Sequence, residues 1–368
     1  DPVVLYPTLG DRLAAAGVEL AIAGASSPGA GGLWNIRRPQ QVINVNTTYG
    51  LPELEAVHRK VGAAPEKGRR RERLEWAVTA LLEGHLPNPR NRVMVLWLPE
   101  PDGVSHDHGL GSPEFYKALG WVDACVARIL EAIGKRGEEI DMLLISDHGH
   151  TTVEAQGRLG EFLAGMCRER RIDTPFDASD KLIYPKGPIS DDAVRGLIDG
   201  LKSEPWCGTV LAHHPKAQCW GALPVETLFG PLYHQRVPLL VVNPLWRPES
   251  NDAGISGIVR APVAPKHRSA HGHANPTDLS AFCVGYGPGF KTGVVSEVPC
   301  GIVDIAPTAC HLLGLEGETG FDGRVLHEGL SGSGSLSPPE CRFETHGEGA
   351  QRQPIRTAEV NGTRYILG

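Results

Sequence analysis

No stretch of this 368-residue sequence approaches the run of about 20 apolar residues that a membrane-spanning helix requires. The beginning also lacks the basic, then apolar, then small-residue order of a secretory signal. It opens on Asp1 with no initiator methionine, which reads as a processed chain or a piece of a longer one. A basic surplus is missing too: the formal charge of −7 supplies no footprint for a nucleic-acid backbone. The one basic run, Lys67 to Arg71 with Arg73, opens a predicted helix and reads as a solvated face. Eight cysteines stand without any CxxC spacing. Cys125 and Cys310 fall on apolar-patterned helices and Cys283 in a strand, where free thiols pack as small hydrophobes. That usage favours a reducing, cytoplasmic setting. Cys207 and Cys219 flank a hairpin-like segment and would suit pairing in an oxidising one. Internal repeats are absent.

What is present is the composition of a globular protein with a sizeable core: 41% hydrophobic and 21% charged residues. The length fits one large α/β domain or two smaller ones. Thr8 to Ala16 reads as a helix stopped by Gly17, and Val18 to Ala23 as a strand. A helix follows over about Arg71 to Leu86, then a buried strand, Val93 to Leu98. Ser112 and Pro113 open the strongest helix, 113–133, with Phe115, Leu119, Val122, Val126, Ile129, Leu130 and Ile133 on one face and Gly134 as its stop. Met142 to Ser146 is the next buried strand, so strand–helix–strand order predicts a right-handed crossover in a mostly parallel sheet. Residues 151–265 are loosely patterned and rich in proline, and read as an inserted cap. Leu279 to Tyr286 returns to a buried strand, and Asp304 N-caps a helix to Leu313. Leu330 to Pro339 is a surface linker, and a terminal hairpin turns at Asn361-Gly362.

Two acidic-histidine clusters follow predicted strands. Asp102 and His106 follow the first; Asp147-His148-Gly149-His150 follow the second. In an open α/β sheet, ligands bind beyond the carboxyl ends of parallel strands, and Asp and neutral His are donors for ions such as zinc. Each cluster is weak by itself: D-x-x-x-H says little in a chain with 15 histidines, and Asp147 alone reads as a helix cap beside a surface histidine. His271-Gly272-His273, in a polar loop, adds a third candidate. Together they describe three loops bringing Asp and His to one sheet edge. Two divalent ions about 3.5–4 Å apart form the usual clamp for in-line displacement at phosphorus.

Glu100-Pro101-Asp102 with His106, Gly109, Ser112-Pro113 and Asp123 resembles the signature of the nucleotide pyrophosphatase/phosphodiesterases of the alkaline phosphatase superfamily. Ser146-Asp147-His148-Gly149 resembles the superfamily's SDHG element. Ser269-Ala270-His271-Gly272 and Val303 to Thr308 resemble its third block, and Asp322-Gly323-Arg324 its closing DGR. The resemblance runs from about residue 5 to 330, in the family's order. It implies a three-layer α/β/α fold, with residues 1–150 and 266–330 as the alkaline phosphatase-like core, 151–265 as the cap and 331–368 as linker and hairpin.

By position, the resemblance implies that Asp102, His106 and His271 bind one metal, usually zinc, and that Asp147 and His148 bind a second. His150 stands where relatives carry a hydrophobic or small residue and receives no role. His108 and His273 read as supporting or solvent-facing, and His213-His214 as a surface pair in the cap. The implied activity is metal-dependent hydrolysis of a phosphodiester or pyrophosphate in a small substrate such as a nucleotide. The family's Thr or Ser nucleophile, and an Asp ligand before it, have no match here. Residues 1–17 resemble the part after them, and Thr47-Thr48 lie in an unlike segment, so the nucleophile and a central strand are expected upstream. The other readings are a phosphonate hydrolase, sulfatase or phosphomonoesterase of the same superfamily, or a non-catalytic metal-binding fragment.

Overall fold

The computed structural model describes residues 4–48, 51–137, 139–156, 158–179, 181–232, 234, 236–261, 267–315, 320–332, 340–349 and 351–368. The chain divides into two compact units, one of residues 1–104, 113–140 and 306–321, the other of 105–112, 141–305 and 322–368.

The first unit opens with α1 (Leu9–Ala15), held by a capping box in which Thr8 Oγ1 accepts from the Asp11 amide and Asp11 accepts from the Thr8 amide. Then come β1 (Leu20–Gly24), α2 (Pro28–Trp34), β2 (Val42–Asn44), β3 (Thr47–Thr48), α3 (Leu51–Val61), α4 (Arg70–Thr79) and β4 (Val93–Trp97). The strands form one sheet in the order β3-β2-β1-β4, with β1 parallel to both β2 and β4. Every residue of β1 is buried, as expected for a parallel strand covered on both faces. Leu20 and Ile22 point into a cluster with Leu13, Val18 and Val42, while Ala23 joins Ile43, Leu74, Ala77 and Val78 on the other side. Full burial of a side chain such as Leu74 is worth roughly 1.5–3 kcal/mol.

The basic run at the start of α4 is not simply solvated. Arg73 is buried and donates to the Pro65 carbonyl at 2.7 Å and to Asn46 Oδ1, and Arg70 pairs with Glu100 at 3.0 Å.

Helix α5 (Asp102–His108) leads to α6 (Pro113–Arg136), which runs through Gly134 rather than stopping there. Val122, Cys125 and Ile129 of α6 pack on the Leu74 cluster, whereas Leu119, on the predicted stripe, is exposed. The next strand, β5 (Met142–Ile145), belongs to the second unit. Among the described residues its ladder is antiparallel, to β15 (Cys283–Tyr286). Of the ladders described, most are antiparallel, so the fold is mixed α/β with several sheets. Nor is β15 buried: all four residues are exposed, and Leu279 belongs instead to α10 (Pro276–Leu279). An apolar run gives burial only where another layer covers it.

The second unit has its own core. A four-stranded sheet has the order β12 (Trp246–Ser250), β13 (Ser256–Ala261), β6 (Thr151–Gln156), β14 (Ser269–Ala270). A five-stranded sheet has the order β10 (Leu223–Pro224), β9 (Cys207–Ala212), β11 (Leu240–Pro244), β8 (Leu182–Pro185), β7 (Phe176–Ser179). Alternation along β9 sends Val210 and Ala212 toward Leu163 of α7 (Leu159–Arg170) and Leu197, Ile198 and Leu201 of α8 (Asp191–Ser203). Leu211 faces Leu228 of α9 (Val225–Phe229) and Ile355. The loosely patterned region is therefore a well-packed sheet-and-helix layer. Cys207 is buried in β9, its thiol pushed up to about 12 by burial, and Cys219 is exposed; both are free.

The chain then passes into α11 (Ile305–Leu312) and a terminal sheet, β16 (Cys341–His346), β17 (Ile355–Val360) and β18 (Thr363–Ile366). Asn361 at φ 50° and Gly362 at φ 85° make the turn of the predicted hairpin. Asp304 stands immediately before α11, where the N-cap was expected. Its buried carboxylate accepts from the amides of Gly301 (2.9 Å) and Arg324 (2.8 Å) and from the Tyr365 hydroxyl (3.0 and 3.1 Å). Arg324 in turn donates to Tyr365 and pairs with Glu328. Burial and the Asp304 charge raise the Tyr365 pKa. Of the predicted linker, residues 333–339 lie outside the described residues, while Leu330 is buried and bridges to Phe290.

Candidate metal centre

Three segments of the second unit bring imidazoles together: the end of α5, the loop after β5 and the loop after β14. On α5, Asp102 and His106 are one turn apart and share a face. The start of that helix is tied by Glu100, a buried carboxylate that accepts from the Val104 amide at 2.9 Å and from Arg70. Burial raises the Glu100 pKa, against the lowering pull of the Val104 amide and Arg70. At the other end, the Arg268 amide donates to the His106 carbonyl at 2.8 Å. His106 Nδ1 donates to the Ser269 carbonyl at 2.7 Å, which fixes the tautomer with the lone pair on Nε2.

The loop after β5 is pinned on both sides. Ser146 exchanges hydrogen bonds with the backbone of Phe282. Gly149 donates to the Asp278 carbonyl at 2.7 Å, and a Cβ there would collide with the Thr277 carbonyl and lie 2.8 Å from that of Ser280, so only glycine fits. Just beyond, buried Thr151 bonds Asp278 and Thr277 through its hydroxyl. Asp278 also holds His273, whose Nδ1 and backbone amide lie 2.7 and 2.9 Å from the same carboxylate oxygen. Between His271 and His273, Gly272 takes φ +81°, a conformation that lets consecutive histidines diverge.

The result is a cluster of rings. His106, His150 and His271 offer nitrogens within 4.8 Å of one another, and Asp102 offers a carboxylate oxygen at the same reach of His106 along their helix. His148 stacks on His271, centroids 3.7 Å apart, and its Nε2 lies 3.5 Å from the half-exposed Asp147 carboxylate. Thus the structure joins His106, His271 and His148 in one place, with Asp147 at its margin. Two further members are His150, which the resemblance left without a role, and the exposed His267, which the sequence reading did not single out and whose ring is 4.6 Å from that of His106. His267 carries no spacing signal. His108 is exposed, and His273 is buried on Asp278 rather than solvent-facing. In the cap region His213 pairs with Glu226, and His214 stacks on Trp220 at 4.5 Å. Imidazole and carboxylate donors at this spacing fit a borderline divalent cation such as zinc.

The pattern of type I phosphodiesterases/nucleotide pyrophosphatases matches residues 8–203 of this sequence. The chain belongs to that family. Ectonucleotide pyrophosphatase/phosphodiesterase family member 1 of Mus musculus is 34% identical over 102 residues, 27% of this chain and 10% of the relative. Its Homo sapiens counterpart is 24% identical over 233 residues, 61% of this chain and 23% of the relative. The chain therefore spans under a quarter of these curated relatives. Among solved structures, murine ectonucleotide pyrophosphatase/phosphodiesterase 5 superposes with a TM-score of 0.51 at 20% identity, over 70% of this chain and 64% of that one. An inactive variant of the same murine protein, in complex with AMP, reaches 0.55 at 18% identity, over 87% and 74%. The fold is thus shared with this phosphodiesterase family. Among the described residues, no helix is long and apolar enough to cross a membrane.

Proposed function

We propose that this chain carries the two-metal centre of a phosphodiesterase or pyrophosphatase acting on a small phosphorylated substrate such as a nucleotide. The observation that carries the reading is the convergence of His106 and His271, from segments far apart in sequence, at positions that resemble the family's ligands. Asp102, His106 and His271 hold one divalent ion, and Asp147 with His148 holds the other, zinc being the best match to these donors. When bound, such ions polarise the phosphoryl oxygens and stabilise the leaving oxygen. The protein's own part is positional. Ser269 orients the His106 ring, Glu100 fixes the start of α5, and Gly149 seats the Asp147–His150 loop on α10. No residue here is assigned the nucleophile.

The three-layer core of residues 1–150 and 266–330 and the cap of 151–265 belong to the same reading, with the cap selecting the leaving group. The AMP held by the murine relative's inactive variant supports a nucleotide-sized substrate.

The test combines metal analysis with turnover of an aryl phosphodiester and an aryl monoester, using the longest reading frame that carries this sequence. Two equivalents of zinc and preference for the diester are expected. Stoichiometric zinc without turnover of either ester would overturn the hydrolase reading, and His106→Ala with undiminished metal would overturn the ligand assignment.

A further inference from the structure

We propose that His150 is a metal ligand, the third imidazole of the position formed with His106 and His271; this rests on the metal-centre reading above. The family resemblance gives residue 150 no role, so the inference stands on geometry. The ring centroids lie 4.8 Å apart for His106–His150, 5.1 Å for His150–His271 and 5.2 Å for His106–His271. These sides are nearly equal, and nitrogens from all three rings fall within 4.8 Å of each other. Contact packing accounts for an edge-on pair such as His106–His150, but it gives no reason for a nitrogen of every ring to lie within 4.8 Å of the other two. His148 shows that simpler arrangement, lying parallel to His271 at 10° and 5.6 Å from His150.

The backbone explains how His150 reaches the cluster. Gly149 is clamped against Thr277 and Ser280, and Thr151 is buried against Asp278, so the residue between them has its direction set from both sides. His106 is prepared for the same purpose, since donation from Nδ1 to Ser269 leaves Nε2 as the ligating nitrogen. All three rings are half-buried, which shields a bound ion from full hydration.

Three neutral imidazoles change what the position selects. Nitrogen donors suit zinc, cobalt and nickel, whereas oxygen-rich sites take magnesium, calcium and manganese. This centre should therefore discriminate against magnesium and manganese more strongly than the same centre without His150.

The experiment loads the apo protein with one equivalent of Co(II) or Zn(II), measuring affinity by competition with a chromophoric chelator and coordination by the visible Co(II) spectrum. His150→Ala is expected to weaken binding by at least about tenfold and to alter the Co(II) bands. His106→Ala and His271→Ala should abolish the tight position. X-ray absorption of the wild-type protein loaded with a single equivalent of zinc, so that only the tight position is filled, should fit three imidazoles. If His150→Ala matches wild type in affinity and spectrum while His106→Ala and His271→Ala lose metal, the proposal is wrong and the metal-centre reading survives. A two-imidazole absorption fit has the same meaning. If none of the three variants affects binding, both fall.

Discussion

His148 and His271 lie face to face, with ring centroids 3.7 Å apart and planes only 10° from parallel. The two residues come from different loops, so each ring helps to set the other's position. His271→Phe should keep the stacked surface and lose the nitrogen. The expected result is loss of one equivalent of metal with a stability change within about 1 kcal/mol. His271→Ala should lose the metal and loosen His148 as well, which metal analysis of the second position would register.

Two glycines should respond to alanine with opposite signs. At Gly149 the added methyl meets two backbone carbonyls, so Gly149→Ala should cost roughly 1–3 kcal/mol and lower metal occupancy. At Gly134, inside α6 with open space around it, Gly134→Ala should stabilise by about 0.5–1 kcal/mol. Denaturant titration of both variants checks the pair.

The Arg70–Glu100 pair supports α5 from outside the ring cluster. Arg70→Ala leaves a buried carboxylate without its cation and should destabilise by roughly 1–3 kcal/mol. Adding Glu100→Gln should recover part of that loss, giving a non-zero coupling in a double-mutant cycle. Because the folded Glu100 pKa is raised, the native state holds its proton to higher pH than the unfolded chain. Its contribution to stability therefore falls as pH rises above 4.5, the ordinary carboxyl value, and in Arg70→Ala that fall should be steeper.

His85 gives a pH dependence of the opposite sense. It is buried, its Nε2 donates to the Ile22 carbonyl at 3.0 Å, and burial lowers its pKa below 6.5. Below 6.5 the unfolded chain takes up a proton that the native state resists, so stability drops as pH falls from there toward the lowered value. Measured between about pH 5 and 8, this slope should be present in wild type and absent in His85→Gln.

Helix α6 was legible because its apolar residues repeat over six turns, and the β17–β18 turn because Asn-Gly takes positive φ cheaply. In the loosely patterned region, Gly208 to Ala212 and Pro238 to Val242 stood out only as short apolar runs, and the sheet that joins β9 and β11 was not legible, since pairing partners leave no local trace. The same limit explains β5 and β15. Their apolar character was plain, while their ladder to each other and the exposure of β15 depend on contacts far away in sequence. Asp102, His106 and His271 were found through motif order. His150 was set aside because the resemblance offers no histidine there, and its place in the cluster follows from Gly149, whose tight seat only the folded chain reveals.

The carboxylate of Asp304 is satisfied in part by a tyrosine in the final strand, although the family match ends at residue 203. A relative without the terminal sheet would have to do without that hydroxyl, and a buried carboxylate short of donors is costly. The aspartate and the tyrosine should therefore be inherited as a pair. Sequences that drop one should replace the other, even where everything within the matched segment is unchanged.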